Sequence, residues 1–155
     1  MPARNNVTRL LANRKIPHEV IELPAEKLSA VEVAARLGAS PEVVYKTIVV
    51  ARSRGRPLLV MVPATHEVNL KTLAADLGEK KLRLPTQAEA ERLTGLQAGG
   101  ISALALRTKS FDICLDAHAQ SLDEIHISAG QRGLQVRLPV VELVRLTGAR
   151  WVTAA

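Results

Sequence analysis

The chain has 155 residues, of which 47% are hydrophobic and 23% charged, and its formal net charge is +6 at pH 7. This size and composition are typical of one ordinary globular domain and exclude the disordered, collagen-like and coiled-coil classes. The positive charge indicates a polyanionic partner, but the chain has one Trp, one Tyr and one Phe, so we expect nucleic-acid contacts mainly to phosphate and sugar.

The first half of the sequence predicts three helices and three strands that are interspersed. In chain order they are a helix ending near Lys15, the extended HEVIEL after Pro17, a helix from Ser29 to Leu37, a helical turn at Ser40 and Pro41, the strands YKTIVVA (45–51) and LLVMVP (58–63), and the helix LKTLAADL after Asn69. Ser29 with Glu32 three residues later is a capping box, and Gly38 stands where the same helix should end. The Arg/Gly/Pro connection between the second and third strands predicts a β-hairpin.

The second half predicts four more strands and two more helices. In chain order they are the short strand KLRL (81–84), a helix from Thr86 to Leu93, the strands SFDICLD (110–116), EIHIS (124–128) and LQVRL (134–138), and a helix from Pro139 through Leu146. Thr86 with Glu89 is a second capping box, and the glycine-bounded AGQRG predicts a hairpin turn between the last two strands. No linker divides this pattern, so we predict one α+β domain over residues 1–155.

The sequence also bears on the cellular compartment. No window reaches the roughly 18 apolar residues of a membrane span, and the N-terminal MPARNNVTRLLANRK lacks the apolar run of a secretory signal. We therefore expect a cytoplasmic protein without a membrane partner. The single cysteine, Cys114, excludes an internal disulfide, and its alternation within FDICLDA favours a small buried strand residue over a nucleophile.

The stretch LTGLQAGGISALAL, residues 93–106, is unusual because it holds three glycines within six residues. Gly95 ends a predicted helix, whereas Gly99 and Gly100 can adopt positive φ or let a ligand lie against the exposed N–H groups of residues 100–102. The spacing approaches that of a phosphate-binding P-loop, but Ile101 stands where the lysine would be and no strand precedes the glycines. A nucleotide hydrolase is therefore disfavoured, and an ordinary turn is the alternative interpretation.

Residues suited to metal or nucleophilic chemistry are sparse. The four histidines have no ligand spacing with one another or with Cys114, so we expect neither a metal nor another cofactor. Ser102 lacks the G-x-S-x-G context of a nucleophile and is interpreted as an orienting hydroxyl. Lys46 is the stronger candidate because it lies within the apolar run VVYKTIVVA, where a lysine should point at solvent, a cavity or a partner. A lysine that protects an edge strand from aggregation is the alternative.

Four segments occur together in an order that is specific to one family. They are VVYKTIVV (43–50), VPATHEVNLKTLAADLGEKKLRL (62–84), ERLTGLQAGGIS (91–102) and ISAGQRGLQVRL (127–138). With them the chain resembles the YbaK family of aminoacyl-tRNA deacylases, which is related to the editing domain of bacterial prolyl-tRNA synthetases. The resemblance implies a mixed β-sheet curled into a partial barrel and flanked by helices. It also implies metal-free hydrolysis of mischarged aminoacyl-tRNA, most often Cys-tRNA(Pro), with prolyl-tRNA synthetase as a further partner.

The resemblance also implies the residues of the site. Lys46 would be the active-site lysine, and Gly100 and Ile101 the other catalytic positions, facing the aminoacylated 3′ adenosine. The substrate-binding positions would be Thr47, Gly99, Ser102, Ser128, Ile21 and Leu28. Backbone N–H groups of the loop would meet the developing oxyanion. In cysteine-clearing members the substrate's own thiol attacks its ester, so the pocket mainly positions the aminoacyl end.

Three departures from the family concern the amino acid that is cleared. Where the family continues Gly-Gly-Ile-Ser with Pro-Leu-Gly, this chain has Ala103 and Ala105. Cysteine-specific members carry an acidic residue at the position of Gln135, and aromatic residues in the N-terminal pocket segment around Ile21 and Leu28. Cysteine, alanine and serine therefore stay open as substrates. A non-catalytic tRNA-binding module associated with a synthetase is the alternative function.

Overall fold

The computed structural model describes residues 5–155; residues 1–4, which begin the basic N-terminal segment and the predicted single domain, lie outside the described part. The α-helices in these residues are α1 (Asn6–Asn13), α2 (Ala30–Leu37), α3 (Leu70–Leu77), α4 (Gln87–Thr94) and α5 (Val140–Thr147). The strands are β1 (Glu19–Glu22), β2 (Tyr45–Arg52), β3 (Leu58–Pro63), β4 (Leu82–Arg83), β5 (Asp112–Asp116), β6 (Glu124–Ser128), β7 (Leu134–Pro139) and β8 (Arg150–Val152). Short 3-10 helices occupy Pro41–Val43 and Ala117–Ser121.

Local capping chemistry sets the helix boundaries. The side chains of Asn5, Ser29 and Thr86 each accept a hydrogen bond from the backbone three residues later and complete a capping box. Helices α2, α3, α4 and α5 each end at a glycine in the left-handed conformation. All five helices have eight residues, and none in residues 5–155 is long and apolar enough to span a bilayer.

The strands form two sheets that curl toward each other. One sheet has the order β1-β7-β6 with antiparallel pairs, and the other has the order β4-β2-β3-β5-β8. In the second sheet β5 runs parallel to both β3 and β8, whereas β2 is antiparallel to β3 and β4. An isolated parallel bridge between Val44 and His126 joins the sheets edge to edge. The result is the mixed, curled sheet that the sequence predicted, without closure into a barrel.

The hydrophobic core is divided by the curled sheet. The main cluster contains residues of both sheets together with Val7 and Leu11 from α1 and Leu143 from α5. A second cluster lies under α3 and contains Cys114, where burial raises the thiol pKa to about 11, as suits an inert strand residue. A third cluster packs α2 against Val44, beside the bridge between the sheets. This packing places α2 next to the edge of β2 that leads to the candidate site.

Candidate active site

A cleft opens where the two sheets separate. Beyond the Val44–His126 bridge, β2 has no strand partner on its outer edge among the described residues until β4 pairs with Ala51 and Arg52. The free edge borders a cavity of about 360 Å³. Small-molecule sites usually measure about 300–1,000 Å³, so this cavity is large enough for the end of a larger molecule.

Main-chain groups of β2 point into this cleft. The Ala64 N–H donates to the Val44 carbonyl at 2.7 Å, so in the β2–β3 register every second residue counted from Val44 directs its main-chain groups toward β3. Because antiparallel pairs alternate between bonded and non-bonded positions, the N–H and C=O of Thr47 and Val49 point away from β3. The cleft therefore offers backbone donors and acceptors as well as side chains.

Strand register aligns the polar residues of the cavity floor. Ser128 is paired with Gln135, and Gln135 with Ile21, so the three side chains lie in one row on the same face. Lys46 follows Val44 by two residues, as Ser128 follows His126, so Lys46 and Ser128 also share a face. Lys46, Ser128 and Gln135 line the cavity, whereas Ile21 extends the row outside its lining.

The Lys46 side chain lines the cavity and is held there only by a weak ion pair. Its Nζ lies 3.3 Å from Glu67 Oε1, and the Lys46 side chain is 20% exposed whereas that of Glu67 is 93% exposed. Ion pairs with such exposed partners stabilise proteins by only about 0–1 kcal/mol. A substrate oxygen can therefore replace Glu67 beside the ammonium group at little cost.

The glycine loop forms one wall of the cavity. Gly99 has φ of +89° and lines the cavity together with Ala98 and Ile101. Gly100 lies flat against the β6–β7 hairpin turn, since a Cβ on it would stand 2.9 Å from backbone atoms of residues 131–132. The loop thus needs glycine at position 99 for its conformation and at position 100 for a close approach.

Hydrogen bonds from both sides hold the loop. The Ala98 N–H donates to Glu91 Oε2 at 2.7 Å, and Arg132 Nε donates to the Ala98 carbonyl at 2.6 Å. The Gly100 N–H donates to the Gln97 carbonyl at 2.8 Å, so it is engaged in a turn and is not the exposed donor that the sequence predicted. Within residues 5–155 the N–H groups of the flanking Gly99 and Ile101 have no acceptor.

Ser102 lies behind the loop and outside the cavity lining, unlike the substrate-binding position predicted from the sequence. It is fully buried, and its Oγ accepts a hydrogen bond from the Ala105 N–H at 3.3 Å. Ala103 is also fully buried, and Ala105 packs against Gly130. The two alanines that depart from the family pattern therefore act in packing behind the loop.

The opposite wall of the cavity is apolar. Its residues come from α2, from α4 and from the segments just before these helices. They are Leu28, Ala30, Val33, Leu84, Pro85 and Ala90. Leu84, before α4, is half-exposed. Leu28 is the member that the sequence predicted.

Three buried polar atoms on cavity-lining residues have no hydrogen-bond partner among the described residues. They are Tyr45 Oη, Thr47 Oγ1 and Gln135 Oε1. Leaving such an atom unpaired costs about 1–3 kcal/mol, so each of the three calls for a partner that the described residues do not supply. Burial, reinforced by the Asp116 and Glu42 carboxylates, raises the pKa of Tyr45 above its ordinary range, so its hydroxyl remains neutral.

Sequence reasoning missed part of this site. Tyr45 and Gln87 line the cavity without having been predicted, and Gln135 had been singled out only as a departure from a family pattern. The available signal was Gln135 itself, a polar residue between apolar neighbours in the alternating strand LQVRL. The part of the chain that the structure describes contains no group of three His, Cys, Asp or Glu side chains suited to a metal ion.

Comparison with known proteins shows the family of the chain. Residues 25–146 match the profile of the aminoacyl-tRNA editing domain family. Over 150 residues the chain is 31% identical to "Putative Cys-tRNA(Pro)/Cys-tRNA(Cys) deacylase EbsC" of Enterococcus faecalis, covering 96% of this chain and 91% of that protein. It is also 30% identical over 117 residues to the proline–tRNA ligase of Staphylococcus aureus, covering 76% of this chain and 20% of the ligase.

Solved structures show the same fold. The crystal structure of "a putative trans-editing enzyme for prolyl tRNA synthetase" superposes with a TM-score of 0.78 at 24% identity and covers 98% of both chains. That of hypothetical protein APE2540 superposes with a TM-score of 0.87 at 23% identity, covering 97% of this chain and 99% of that one. The family profile covers most of the chain, and the E. faecalis relative is similar along almost its whole length. The chain therefore belongs to the aminoacyl-tRNA editing domain family.

Proposed function

We propose that the protein is a trans-editing deacylase that releases a small amino acid from the 3′ end of mischarged tRNA. Cys-tRNA(Pro) is the first candidate substrate, and alanine or serine on the same tRNA are the alternatives. The observation that carries the proposal is one cavity lined by Lys46, by Gly99 and Ile101, whose amides have no acceptor in residues 5–155, and by Thr47 and Gln135, each of which has an unpaired polar atom. Family membership and the name of the E. faecalis relative support it.

In the proposed mechanism the ester lies between Lys46 and the glycine loop. The N–H groups of Gly99 and Ile101 donate to the carbonyl oxygen as negative charge develops on it. One such donor contributes about 3–4 kcal/mol to the transition state when it is fixed in advance. The Lys46 ammonium adds positive charge beside the same ester, and Gly100 serves to fix the loop against the hairpin turn.

The nucleophile comes from the substrate or from water. With cysteine as the amino acid, its sulfur attacks the ester carbonyl and the bond from that carbon to the ribose oxygen breaks. The ribose oxygen takes up the proton that the thiol loses. The product is a four-membered thiolactone that water then opens to free cysteine. Well-oriented intramolecular attack supplies about 7–11 kcal/mol of barrier reduction, so positioning can replace an enzymic nucleophile. With alanine or serine, a water molecule attacks the same carbonyl.

The amino acid is recognised by neutral polar groups in this proposal. Gln135 Oε1 and Thr47 Oγ1 are the acceptors that a substrate α-ammonium or a side-chain hydroxyl can satisfy. Gln135 carries no charge, unlike the acidic residue of the cysteine-specific relatives. Ser128 is less available, because its Oγ already accepts from the Gly130 N–H at 3.3 Å.

A non-catalytic tRNA-binding module is the alternative. It would account for the net charge of +6. It gives no role, however, to the unpaired buried groups on the cavity-lining residues Thr47 and Gln135. The deacylase proposal assigns partners to these groups and is therefore preferred.

A panel of tRNA(Pro) charged with cysteine, alanine, serine or proline tests the proposal. We expect the purified protein to hydrolyse at least one of the first three faster than proline, with the ester half-life shortened by at least tenfold relative to buffer. Tight binding of every charged tRNA without hydrolysis would favour the binding module. Hydrolysis of proline at the same rate would contradict an editing function.

A further inference from the structure

Two basic residues, Lys27 and Arg132, lie beside Gly99, which lines the cavity. A Cβ built on Gly99 would lie 3.5 Å from Arg132 Cγ and 3.9 Å from Lys27 Cα. Lys27 comes from the segment before α2, and Arg132 from the β6–β7 hairpin turn. The fold therefore brings two basic residues that are more than 100 positions apart in the chain next to the same cavity-lining glycine.

Each of these side chains donates one hydrogen bond within the protein and keeps further N–H donors free. Arg132 Nε donates to the Ala98 carbonyl at 2.6 Å, which leaves the two terminal guanidinium nitrogens. Lys27 Nζ donates at 2.5 Å to Oε1 of Gln87, the first residue of α4 and a member of the cavity lining. Neither side chain forms an ion pair with a carboxylate in residues 5–155.

Two carboxylates close to this site, Glu91 and Glu26, are engaged by other groups. Glu91 accepts from the Ala98 N–H at 2.7 Å. Glu26, next to Lys27 in the chain, lies 3.7 Å from the Arg36 guanidinium. The free donors of Lys27 and Arg132 are therefore available to an external anion.

From these contacts we propose that Lys27 and Arg132 bind the phosphodiester that precedes the aminoacylated nucleotide. The inference rests on the proposed function, because that phosphate is attached to the same ribose whose ester enters the cavity. When the ester reaches the glycine loop, the phosphate must stay near the mouth. Arg132 binds it through its terminal nitrogens, while Nε keeps the Ala98 carbonyl in place.

This arrangement makes Arg132 a positioning residue for the loop as well as a phosphate ligand. A guanidinium group has five N–H donors in a fixed plane, so one side chain can serve a carbonyl and a phosphate at the same time. Phosphate binding then restrains the side chain that orients Ala98 and, through it, the amides of Gly99 and Ile101. Lysine at position 132 would keep the charge and lose this double contact.

The salt dependence of RNA binding tests the site without requiring hydrolysis. The probe is a short single-stranded RNA ending in CCA with a free 3′ hydroxyl, and its affinity is measured by fluorescence anisotropy between low and high salt. Each phosphate contact to single-stranded nucleic acid contributes about 0.7 to the slope of log K against log salt. We expect Lys27→Gln and Arg132→Gln each to reduce the slope by about 0.7. Lys109→Gln is the matched control, because Lys109 is an exposed cation that lines a separate cavity, and it should leave the slope unchanged.

Arg132→Lys separates the two roles of Arg132. We expect this variant to keep the slope of the wild-type protein and to lower kcat on mischarged tRNA by about tenfold, with KM changed less. Slopes equal to wild type in both Lys27→Gln and Arg132→Gln would overturn the phosphate site. If the salt slope of RNA binding falls in Lys27→Gln and Arg132→Gln but the wild-type protein hydrolyses no ester, the proposed function alone is contradicted. If the protein hydrolyses the ester and the slopes of both variants are unchanged, this inference alone is contradicted.

Discussion

Gly100→Ala tests the contact that fixes the glycine loop. A Cβ at this position would stand 2.9 Å from three backbone atoms of residues 131–132. Carbon contacts are favourable from about 3.5 Å, so the loop and the turn must separate by about 0.5 Å, and backbone atoms have no rotamer that avoids the clash. Such overpacking typically costs about 1–3 kcal/mol of folding free energy.

The same displacement of the loop should have a larger effect on the catalytic rate than on the folding stability. A misplacement of about 1 Å can reduce an enzymic rate by about 100-fold. We therefore expect the single-turnover rate of Gly100→Ala on mischarged tRNA to fall by about 10- to 100-fold, while its melting temperature falls by about 3–10 °C.

A second glycine variant controls for stability. Gly148 has φ of +65° at the end of α5, and a Cβ there would have no neighbour within 4 Å. Gly148→Ala should therefore lower stability by about 1 kcal/mol through backbone strain and leave the rate unchanged. A wild-type rate in folded Gly100→Ala, or an equal loss of rate in Gly148→Ala, would refute the proposed link between the hairpin turn and the loop.

Three further predictions concern the site, the core and the role of metal. Thr47→Val removes a hydroxyl without a protein partner, so the free energy of unfolding should change by less than about 0.5 kcal/mol. Its kcat/KM should fall by about 2- to 10-fold, and an unchanged kcat/KM would show that Thr47 does not belong to the site. Burial and the nearby Arg137 guanidinium hold the pKa of His126 below its ordinary value. The unfolded chain therefore takes up this proton first, so stability should be full above about pH 6.5 and decline as pH falls below it, and urea unfolding of His126→Gln should show a smaller decline. Because the proposed groups are Lys46 and backbone amides, dialysis against EDTA should leave hydrolysis of a short aminoacylated RNA unchanged, and recovery only on addition of a metal would contradict the mechanism.

Local signals made much of the fold predictable. The capping boxes at Ser29 and Thr86 and the glycines at the helix ends act within one helical turn, so the sequence displays them directly. The hairpin of β2 and β3 was also predictable, because its strands are adjacent in the chain. Lys46 could be singled out for a similar reason, as a charge inside an apolar strand run, and the structure places it on the cavity lining.

The remaining features depend on contacts between distant segments. Strand β8 has three residues and is held by parallel pairing with β5, which no local pattern reveals. The Val44–His126 bridge, which creates the cleft, joins positions more than 80 residues apart. The buried orientation of Ser102 and the engaged N–H of Gly100 depend on how the loop packs, which glycine spacing alone does not determine.

The rate of cysteine release from Cys-tRNA(Pro) by the Lys46→Ala variant tests the central claim most directly. Folding should be intact, because Lys46 loses only a contact to a carboxylate that is 93% exposed. Glu67→Gln, which removes the same ion pair but keeps the lysine, is the matched control and should retain at least the wild-type rate. We predict that Lys46→Ala abolishes release above the buffer rate, whereas a wild-type rate in the folded variant would contradict the assignment of this cleft as the active site.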